Sequence, residues 1–167
     1  LFKYSPYKTL SEDQYDAIKE YLYLLNHNEI KNTTFIQGSA GTGKTILAVY
    51  LIKLLLSEIS QDELEDNFEV SSLIELAQEV KSKLKKNKEQ LKIAFVIPMT
   101  SLRKTLKKVF KSIYGLSQSM VIGPNELSKD HYDLIIVDEA HRLKRRKNIT
   151  GYQEFDKTNR HFSLDKE

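Results

Sequence analysis

The stretch from Thr33 to Ser57 reads TTFIQGSAGTGKTILAVYLIKLLLS, and it decides the fold that the sequence predicts. Residues 33–37 are rich in β-branched and aromatic side chains, which predicts a short strand. The glycine-rich segment 38–45 follows directly. From Thr45 onward the side chains are apolar nearly all round, which predicts a helix pressed into the middle of a domain. A strand, a glycine-rich loop and a buried helix in direct succession are typical of an α/β fold.

The segment GSAGTGKT (38–45) matches the pattern G-x-x-x-x-G-K-[ST] in the setting that the pattern demands. Its glycines let the loop curl so that backbone N–H groups face a phosphate, and the helix N-terminus adds partial positive charge. Lys44 would reach the terminal phosphates and the Thr45 hydroxyl would bind Mg²⁺, with ATP as the nucleotide. The alternative is a glycine-rich turn that matches the pattern by accident. A chance match in a chain of this length is expected on the order of once in a hundred chains or more rarely. The predicted nucleotide-binding residues here are Gly38, Ser39, Ala40, Gly41, Thr42, Gly43, Lys44 and Thr45.

A second segment, IIVDEAHRLKRRK (135–147), is an apolar run that ends in two carboxylates and then a group of cations. An acid at a strand end can hold Mg²⁺ through water, and the next carboxylate can orient or deprotonate an attacking water. Asp138 is therefore a predicted metal-binding residue, and Glu139 is predicted to be catalytic together with Lys44. The alternative is a buried strand that emerges at the surface before a solvated loop. The glycine-rich loop about ninety residues upstream favours the site.

Apolar strands and amphipathic helices alternate along the rest of the chain. Ser11, with Gln14 three residues later, predicts a capping box at the start of the first helix. Uninterrupted apolar strands predict a mostly parallel sheet with helices on both faces, which is a three-layer architecture. Ligands of such sheets bind at the carboxyl ends of the strands, so both segments are expected to converge at one edge. The predicted strands are 33–37, 92–98, 119–122 and 132–139, and the predicted helices are 10–25, 45–57 and 101–115.

The length and the composition of the chain limit the class of protein to which it can belong. A chain of 167 residues fits one domain, and 29% charged with 40% hydrophobic residues is typical of a soluble globular protein. With no cysteine, a disulfide framework and a thiolate zinc site are both excluded. No apolar stretch reaches the ~20 residues that span a bilayer, and no secretory signal opens the chain, so a cytoplasmic protein without a membrane partner is expected. Because it begins with Leu1, the chain is interpreted as part of a longer protein.

The net charge of +3 is unevenly distributed. All charges in 58–79 are acidic, whereas 81–111 is basic except for Glu89. Such asymmetry can mark a nucleic-acid surface, although a helical insertion with mutually paired charges explains the part before Lys92 equally well. Residues 58–90 are interpreted as a charged insertion, helical or partly mobile. The helix predicted at 101–115 directs cations outward, and the side chains that it directs inward are Leu102, Leu106, Val109 and Ile113.

Several of these segments resemble helicase motifs. VDEAH (137–141) resembles motif II of superfamily 1 and 2 helicases, IPMTSLRKTL (97–106) resembles motif Ia, and LSEDQYDAI (10–18) resembles the Q-motif segment. The run that includes DEAHRLKRRKN (138–148) is most similar to the Schlafen-like DNA/RNA helicase domain family. The resemblance covers nearly the whole chain except 58–90. It implies a P-loop NTPase with a single RecA-like lobe over residues 1–167, the amino-terminal lobe of a motor.

The resemblance also implies roles for individual residues. Gln14 would contact the adenine ring, although its capping role explains it almost as well. His141 would link the nucleotide site to the nucleic-acid site, with a plain surface histidine as the alternative. Three residues of the motif Ia segment would bind phosphates of single-stranded DNA or RNA, against helix capping and a solvated face: Thr100, Ser101 and Arg103. A basic rim would be formed by Arg142, Lys144, Arg145, Arg146 and Lys147.

One departure from the helicase pattern limits the expected activity. Motors of superfamilies 1 and 2 need a second RecA-like lobe with an arginine finger, and nothing after Asn148 supplies that lobe or a motif III. In related NTPases the arginine finger raises the rate of hydrolysis by ~10³–10⁵-fold. The chain is therefore expected to bind ATP–Mg²⁺, to hydrolyse it poorly and not to unwind a duplex alone. The competing hypotheses are a nucleotide-dependent switch and a small-molecule kinase, and the Ala-His after the acidic pair disfavours the kinase.

Overall fold

A computed structural model describes residues 10–27, 33–56, 68–85 and 90–143, with single positions 153, 156 and 160. The chain divides into two compact units, Leu1–Leu91 and Lys92–Glu167, which are described in turn. Among the described helices, none combines the length and the apolar character that crossing a bilayer requires.

The first unit contains three described helices: α1 (Glu12–His27), α2 (Lys44–Leu56) and α3 (Phe68–Lys85). Helix α1 begins at a reciprocal pair of bonds. The Gln14 amide donates to Ser11 Oγ at 3.3 Å, and the Ser11 amide donates to Gln14 Oε1 at 3.1 Å. These two bonds satisfy donors that a helix start leaves unpaired. The predicted capping box is thereby confirmed.

Helix α3 packs against α1 and α2 and completes the core of this unit. Its residues Leu73, Ala77 and Val80 are buried at helical spacing, while Ile18 and Leu22 face inward from α1. The insertion predicted at 58–90 is thus a packed helix over 68–85, and its remaining positions 58–67 and 86–89 lie outside the described residues. Helix α2 is apolar on most of its circumference, as predicted, and its buried residues are Leu47, Val49, Tyr50, Leu51, Ile52, Leu54 and Leu55.

The strand predicted at 33–37 is wrong, because these residues have irregular backbone in the structure. Phe35 is 85% exposed and Ile36 is 48% exposed. A strand forms only where a neighbour pairs its backbone N–H and C=O groups. The described part of the first unit contains helices and no strand, so this segment has no pairing partner among the described residues of its unit. Its composition favours a strand that the local surroundings do not support.

The second unit is built on a parallel sheet of three strands: β1 (Ile93–Val96), β2 (Val121–Ile122) and β3 (Leu134–Val137). The order is β2-β1-β3, with Val96 opposite Ile122 on one side and opposite Val137 on the other. These strands lie within the predicted ranges, and their parallel direction is confirmed. Helix α4 (Thr100–Ser112) connects β1 to β2, and short 3₁₀ helices cover Gln118–Met120, Pro124–Lys129 and Ala140–Arg142.

The core of the second unit is centred on β1, whose four residues are all buried. Phe110 from α4 is fully buried and stacks on Phe95 with the ring centroids 5.8 Å apart. Leu106 and Ile113 are buried as predicted, whereas Phe110 is absent from the predicted inward face. Leu102 is only half-buried. The helix is therefore rotated toward Phe110 relative to the prediction, because the large ring fills the space over β1.

Strand β3 departs from the expectation of a strand buried on both faces. Its residues are half-buried, except that Ile135 is 41% exposed. In the described sheet β3 pairs with β1 alone and forms an edge. An edge strand has a neighbour on one side only, so part of its apolar surface stays in contact with solvent.

The carboxyl ends of the three strands meet at one edge of the sheet, as the parallel arrangement requires. The Asp138 amide donates to Val96 O at 3.1 Å, and the Ile97 amide donates to Ile122 O at 2.9 Å. The acidic couplet, the motif Ia segment and Gly123 therefore lie side by side at this edge.

Candidate functional site

The glycine-rich loop owes its shape to glycines in a left-handed backbone conformation. Gly41 and Gly43 both have a φ of 82°, which costs other residues about 1–2 kcal/mol. Gly38 has a different constraint, since a Cβ there would lie 3.0 Å from Thr42 Oγ1. The left-handed glycines allow the loop to curl, and the pattern in the sequence identified them, while phosphate binding by the loop stays a prediction.

Lys44 lies across this loop. Its ammonium group donates to Gly38 O at 2.8 Å and to Ser39 O at 2.7 Å, and Thr42 Oγ1 donates to the same Ser39 carbonyl at 3.0 Å. The end of the loop is thereby bonded to its beginning. The cation of Lys44 is thus held against the carbonyl groups at the start of the loop.

Helix α2 starts immediately after the loop. Its first backbone bond runs from Leu47 N to Gly43 O at 2.9 Å, and Thr45 lies in its first turn. The first turn carries no acidic residue. The N-terminal end of the helix dipole therefore adds positive potential at the loop, next to the Lys44 cation. This combination suits the phosphates of a nucleotide.

Gln14 joins helix α1 to the same loop. Besides its part in the capping box, its Nε2 donates to Thr42 O at 3.0 Å. A Cβ on Gly43 would lie 2.6 Å from this Nε2, so the side chain is fitted to a glycine at that position. Gln14 thus has a structural role that the sequence pattern did not indicate. Its contact with an adenine ring stays a prediction.

The acidic couplet follows β3 in a tight turn. Asp138 is 7% exposed, and its Oδ1 accepts a bond from the Glu139 amide at 3.0 Å. Glu139 adopts a left-handed conformation with φ 53° and ψ 46°. For a residue with a Cβ this conformation costs of order 1–3 kcal/mol. The two carboxylates of the turn therefore have different environments, since Asp138 is buried and the Glu139 side chain is 33% exposed.

Glu139 contacts the two basic side chains that follow it. Its Oε2 lies 3.2 Å from His141 Nε2 and 3.3 Å from Arg142 Nε. The His141 side chain is 72% exposed, so it is free to change partners at low cost. Of the predicted basic rim, Arg142 belongs to this cluster, and the other four members (144–147) lie outside the described residues.

The residues of the motif Ia segment have different environments. Thr100 and Ser101 are exposed in the first turn of α4, which has no side-chain cap from Met99. Arg103 is half-buried instead, and its Nη1 donates to Ile97 O at 3.0 Å. The guanidinium lies against Gly123, where a Cβ would collide with Nη1. Arg103 therefore ties α4 to the ends of β1 and β2, a role that competes with phosphate binding.

Sequence reasoning missed the turn after β2. The Gly123 amide donates to Glu126 Oε2 at 2.6 Å, which fixes the turn that receives Arg103. A glycine followed three residues later by a glutamate is the available signal, since it has the spacing of a capping box. Only the structure reveals that this glycine accommodates a guanidinium from another element.

The two halves of the predicted site belong to different units of the chain. Lys44 lies in Leu1–Leu91 and the acidic couplet lies in Lys92–Glu167, so their convergence around a nucleotide stays a prediction. In the described part of the chain, no three or more His, Asp or Glu side chains are grouped in a way that could hold a metal ion.

Comparison with known proteins identifies the family. The family model described as Schlafen group 3, DNA/RNA helicase domain, matches residues 31–164, which is well over half of the chain. No curated protein and no solved structure matches the chain. The chain belongs to the Schlafen group 3 DNA/RNA helicase domain family, and the resemblance seen in the sequence is confirmed.

Proposed function

We propose that this member of a DNA/RNA helicase domain family binds ATP–Mg²⁺ as a RecA-like P-loop lobe. It would serve as the first motor lobe of a protein that acts on single-stranded DNA or RNA. The observation that carries the proposal is the loop at 38–45. Two left-handed glycines lead directly into the N-terminus of α2, and the Lys44 ammonium lies over the loop. Family membership supplies the nucleic-acid partner.

The residues present fit the proposed nucleotide and metal. The loop amides and Lys44 would hold the phosphates, with Lys44 exchanging its two carbonyl partners for phosphate oxygens. Mg²⁺ is usually bound through one or two carboxylates together with substrate phosphates and waters. Thr45 and the buried Asp138 supply a hydroxyl and a carboxylate of that kind. The bound metal would neutralise charge on the phosphates.

Glu139 is the proposed general base. Its left-handed backbone holds the carboxylate outside the strand end, on the same turn as Asp138. In the structure its Oε2 is occupied by His141 and Arg142, and a base must be free to accept a proton from water. We therefore assign to His141 the control of Glu139: the carboxylate is held while His141 contacts it and becomes available as a base once that contact breaks.

Nucleotide binding is tested by titrating a fluorescent ATP analogue in the presence of Mg²⁺. Lys44→Ala should weaken binding by about 10- to 100-fold, since a hydrogen bond to a charged group contributes ~1.5–3 kcal/mol. Lys53→Ala removes a lysine from the last turn of the same helix and should bind normally. Equal affinity of the two variants would refute the phosphate-binding role of the loop.

Hydrolysis is tested by release of inorganic phosphate. Glu139→Gln should retain nucleotide binding and lose turnover, because the amide cannot accept the proton. Asp138→Asn should instead raise the Mg²⁺ concentration that binding requires. Normal turnover by Glu139→Gln would disprove the assignment of the base.

A nucleotide-dependent switch is the second candidate function. The engagement of Glu139 by His141 and Arg142 favours it, because a carboxylate held by two basic side chains suits a state that binds without hydrolysing. Single-stranded oligonucleotide should stimulate ATP turnover of the full-length protein if the chain is a motor lobe. Affinity for a partner that changes with nucleotide, with turnover unaffected by the oligonucleotide, would identify a switch.

A further inference from the structure

We propose that the outer face of α4 binds the backbone of a single-stranded nucleic acid, and that Tyr114 stacks on one of its bases. The surface consists of Lys104, Lys107, Lys108 and Lys111 and is called the lysine track below. The proposal rests on the proposed function, because it extends the path of the strand beyond the motif Ia residues. The track begins at Lys104, directly after Arg103, and ends about three turns beyond Thr100.

The geometry of α4 places the lysine track on one side. At about 100° and 1.5 Å per residue, the four lysines fall within an arc of about 100° and span about 10 Å. The buried residues Leu106 and Phe110 lie on the opposite side of the helix. Three of the lysines are exposed and Lys107 is half-buried. The track is therefore a continuous cationic strip on the solvent face.

The charge pattern of this helix is not explained by its own stability. Thr100–Ser112 contains no acidic residue, and in the described part of the chain no carboxylate forms an ion pair with the track. Cations four residues apart, such as Lys104 and Lys108, repel each other and destabilise a helix. Helix α1 has the opposite pattern, with acids in its first turn and mixed signs beyond it. A polyanion is the ligand that offsets the repulsion on α4.

Tyr114 indicates which polyanion fits. It follows the last turn of α4, and Gly115 with a φ of 81° closes the turn behind it. Tyr114 is 93% exposed, the largest exposure among the large apolar side chains of the described residues. Proteins that bind single strands combine a positive surface along the backbone with aromatic rings on which bases stack. A duplex keeps its bases stacked internally, so an exposed ring beside a lysine strip favours a single strand.

The test measures binding of a fluorescein-labelled oligo(dT) of about 20 nucleotides and of oligo(U) by anisotropy, between about 0.05 and 0.2 M salt. The variant K104Q/K108Q/K111Q removes three charges with a residue that favours helix. The control K19Q/K85Q/K129Q removes the same charge elsewhere on the chain. The salt slope is the steepness with which the logarithm of the affinity falls with the logarithm of the salt concentration, about 0.7 for each phosphate contact. Loss of three contacts in the track variant should therefore lower the salt slope by about 2 and weaken binding on the order of 100-fold at ~0.1 M. The control should change affinity by less than about 3-fold.

Tyr114 is tested separately from the charges. Tyr114→Ala should weaken binding by about 5- to 100-fold at an unchanged salt slope, and Tyr114→Phe should bind normally, because stacking needs the ring only. Equal effects of the two triple variants would overturn the proposal. So would competition by polyglutamate as effective as unlabelled oligonucleotide at equal charge, which would identify a surface for acidic polypeptides.

Failure of this proposal is distinguishable from failure of the proposed function. The track variant should bind the fluorescent ATP analogue as the parent chain does, because Lys44 is unchanged. Loss of oligonucleotide binding with ATP affinity retained supports the lysine track. Absence of ATP binding by the parent chain refutes the P-loop proposal and leaves the oligonucleotide titration to decide on the track.

Discussion

Gly43→Ala and Gly41→Ala form a matched pair that tests how Gln14 holds the glycine-rich loop. Both glycines have a φ of 82°, so alanine brings a similar backbone cost of about 1–2 kcal/mol to each. They differ in their surroundings. A Cβ at Gly43 would lie 2.6 Å from Gln14 Nε2, whereas a Cβ at Gly41 would meet nothing within 4 Å.

The magnitude follows from the bond that the new Cβ would break. Gln14 is a flexible side chain, so it would move away and lose its 3.0 Å bond to Thr42 O. A bond of this kind contributes a net ~0.5–1.5 kcal/mol. In a Gln14→Ala background the bond is already absent, so Gly43→Ala should cost about 1 kcal/mol less there. The coupling between Gly41→Ala and Gln14→Ala should stay within about 0.5 kcal/mol.

The assay is equilibrium unfolding in urea, followed by far-ultraviolet circular dichroism, for the six proteins of the two double-mutant cycles. The loss of the Ser11–Gln14 capping box is common to both cycles and cancels in the coupling energies. Equal coupling for Gly41 and Gly43 would refute the idea that Gln14 is fitted to a glycine at position 43. Nucleotide titration of the same proteins reports whether the loop shape also controls phosphate binding.

Three further predictions concern the second unit. Phe110→Ala should lower the free energy of unfolding, measured in urea, by about 3–5 kcal/mol, because the ring is buried against Phe95. Phe110→Leu should lower it by less. A loss below about 1 kcal/mol for the alanine variant would contradict this packing. In thermal unfolding, Glu139→Gly should be more stable than Glu139→Gln by about 1 kcal/mol. Both variants lose the carboxylate, and only glycine relieves the strain of the left-handed backbone at this position. Equal stability of the two variants would argue against that strain. The hydrogen bond from Lys92 lowers the pKa of Asp130 below its ordinary value of 3.8, so the stability it contributes is present above that pH and is lost as the pH falls through the lowered pKa. Lys92→Met should return the pKa toward 3.8 in an NMR titration, and an unchanged pKa would exclude Lys92 as the cause.

Sequence reasoning was most reliable where short-range chemistry decides the structure. The Ser11–Gln14 pair is a local capping box, and the left-handed Gly41 and Gly43 are required by the loop they belong to. The segments containing β1 and β3 are apolar runs long enough to be recognised as strands, although the half-buried environment of β3 was not predicted. These features could be read from residues within a few positions of one another.

The features that were missed depend on neighbours distant in the sequence. Residues 33–37 have the composition of a strand, but composition does not supply a pairing partner. Phe110 was not included in the inward face predicted from Leu102 and Val109, and its contact with Phe95 shows that it points inward. The contact between Arg103 and Gly123 joins residues on different elements, and no pattern in either segment predicts it.

The edge position of β3 has a practical consequence for handling the protein. Its apolar residues, with Ile135 41% exposed, lie beside β1 on one side, and in the described sheet no strand pairs with the other side. Such an edge offers backbone groups for strand addition by another molecule, and the four-residue length of β3 keeps that template short. Ile135→Lys would place a charge on this strand and oppose strand addition, which light scattering of concentrated solutions would measure.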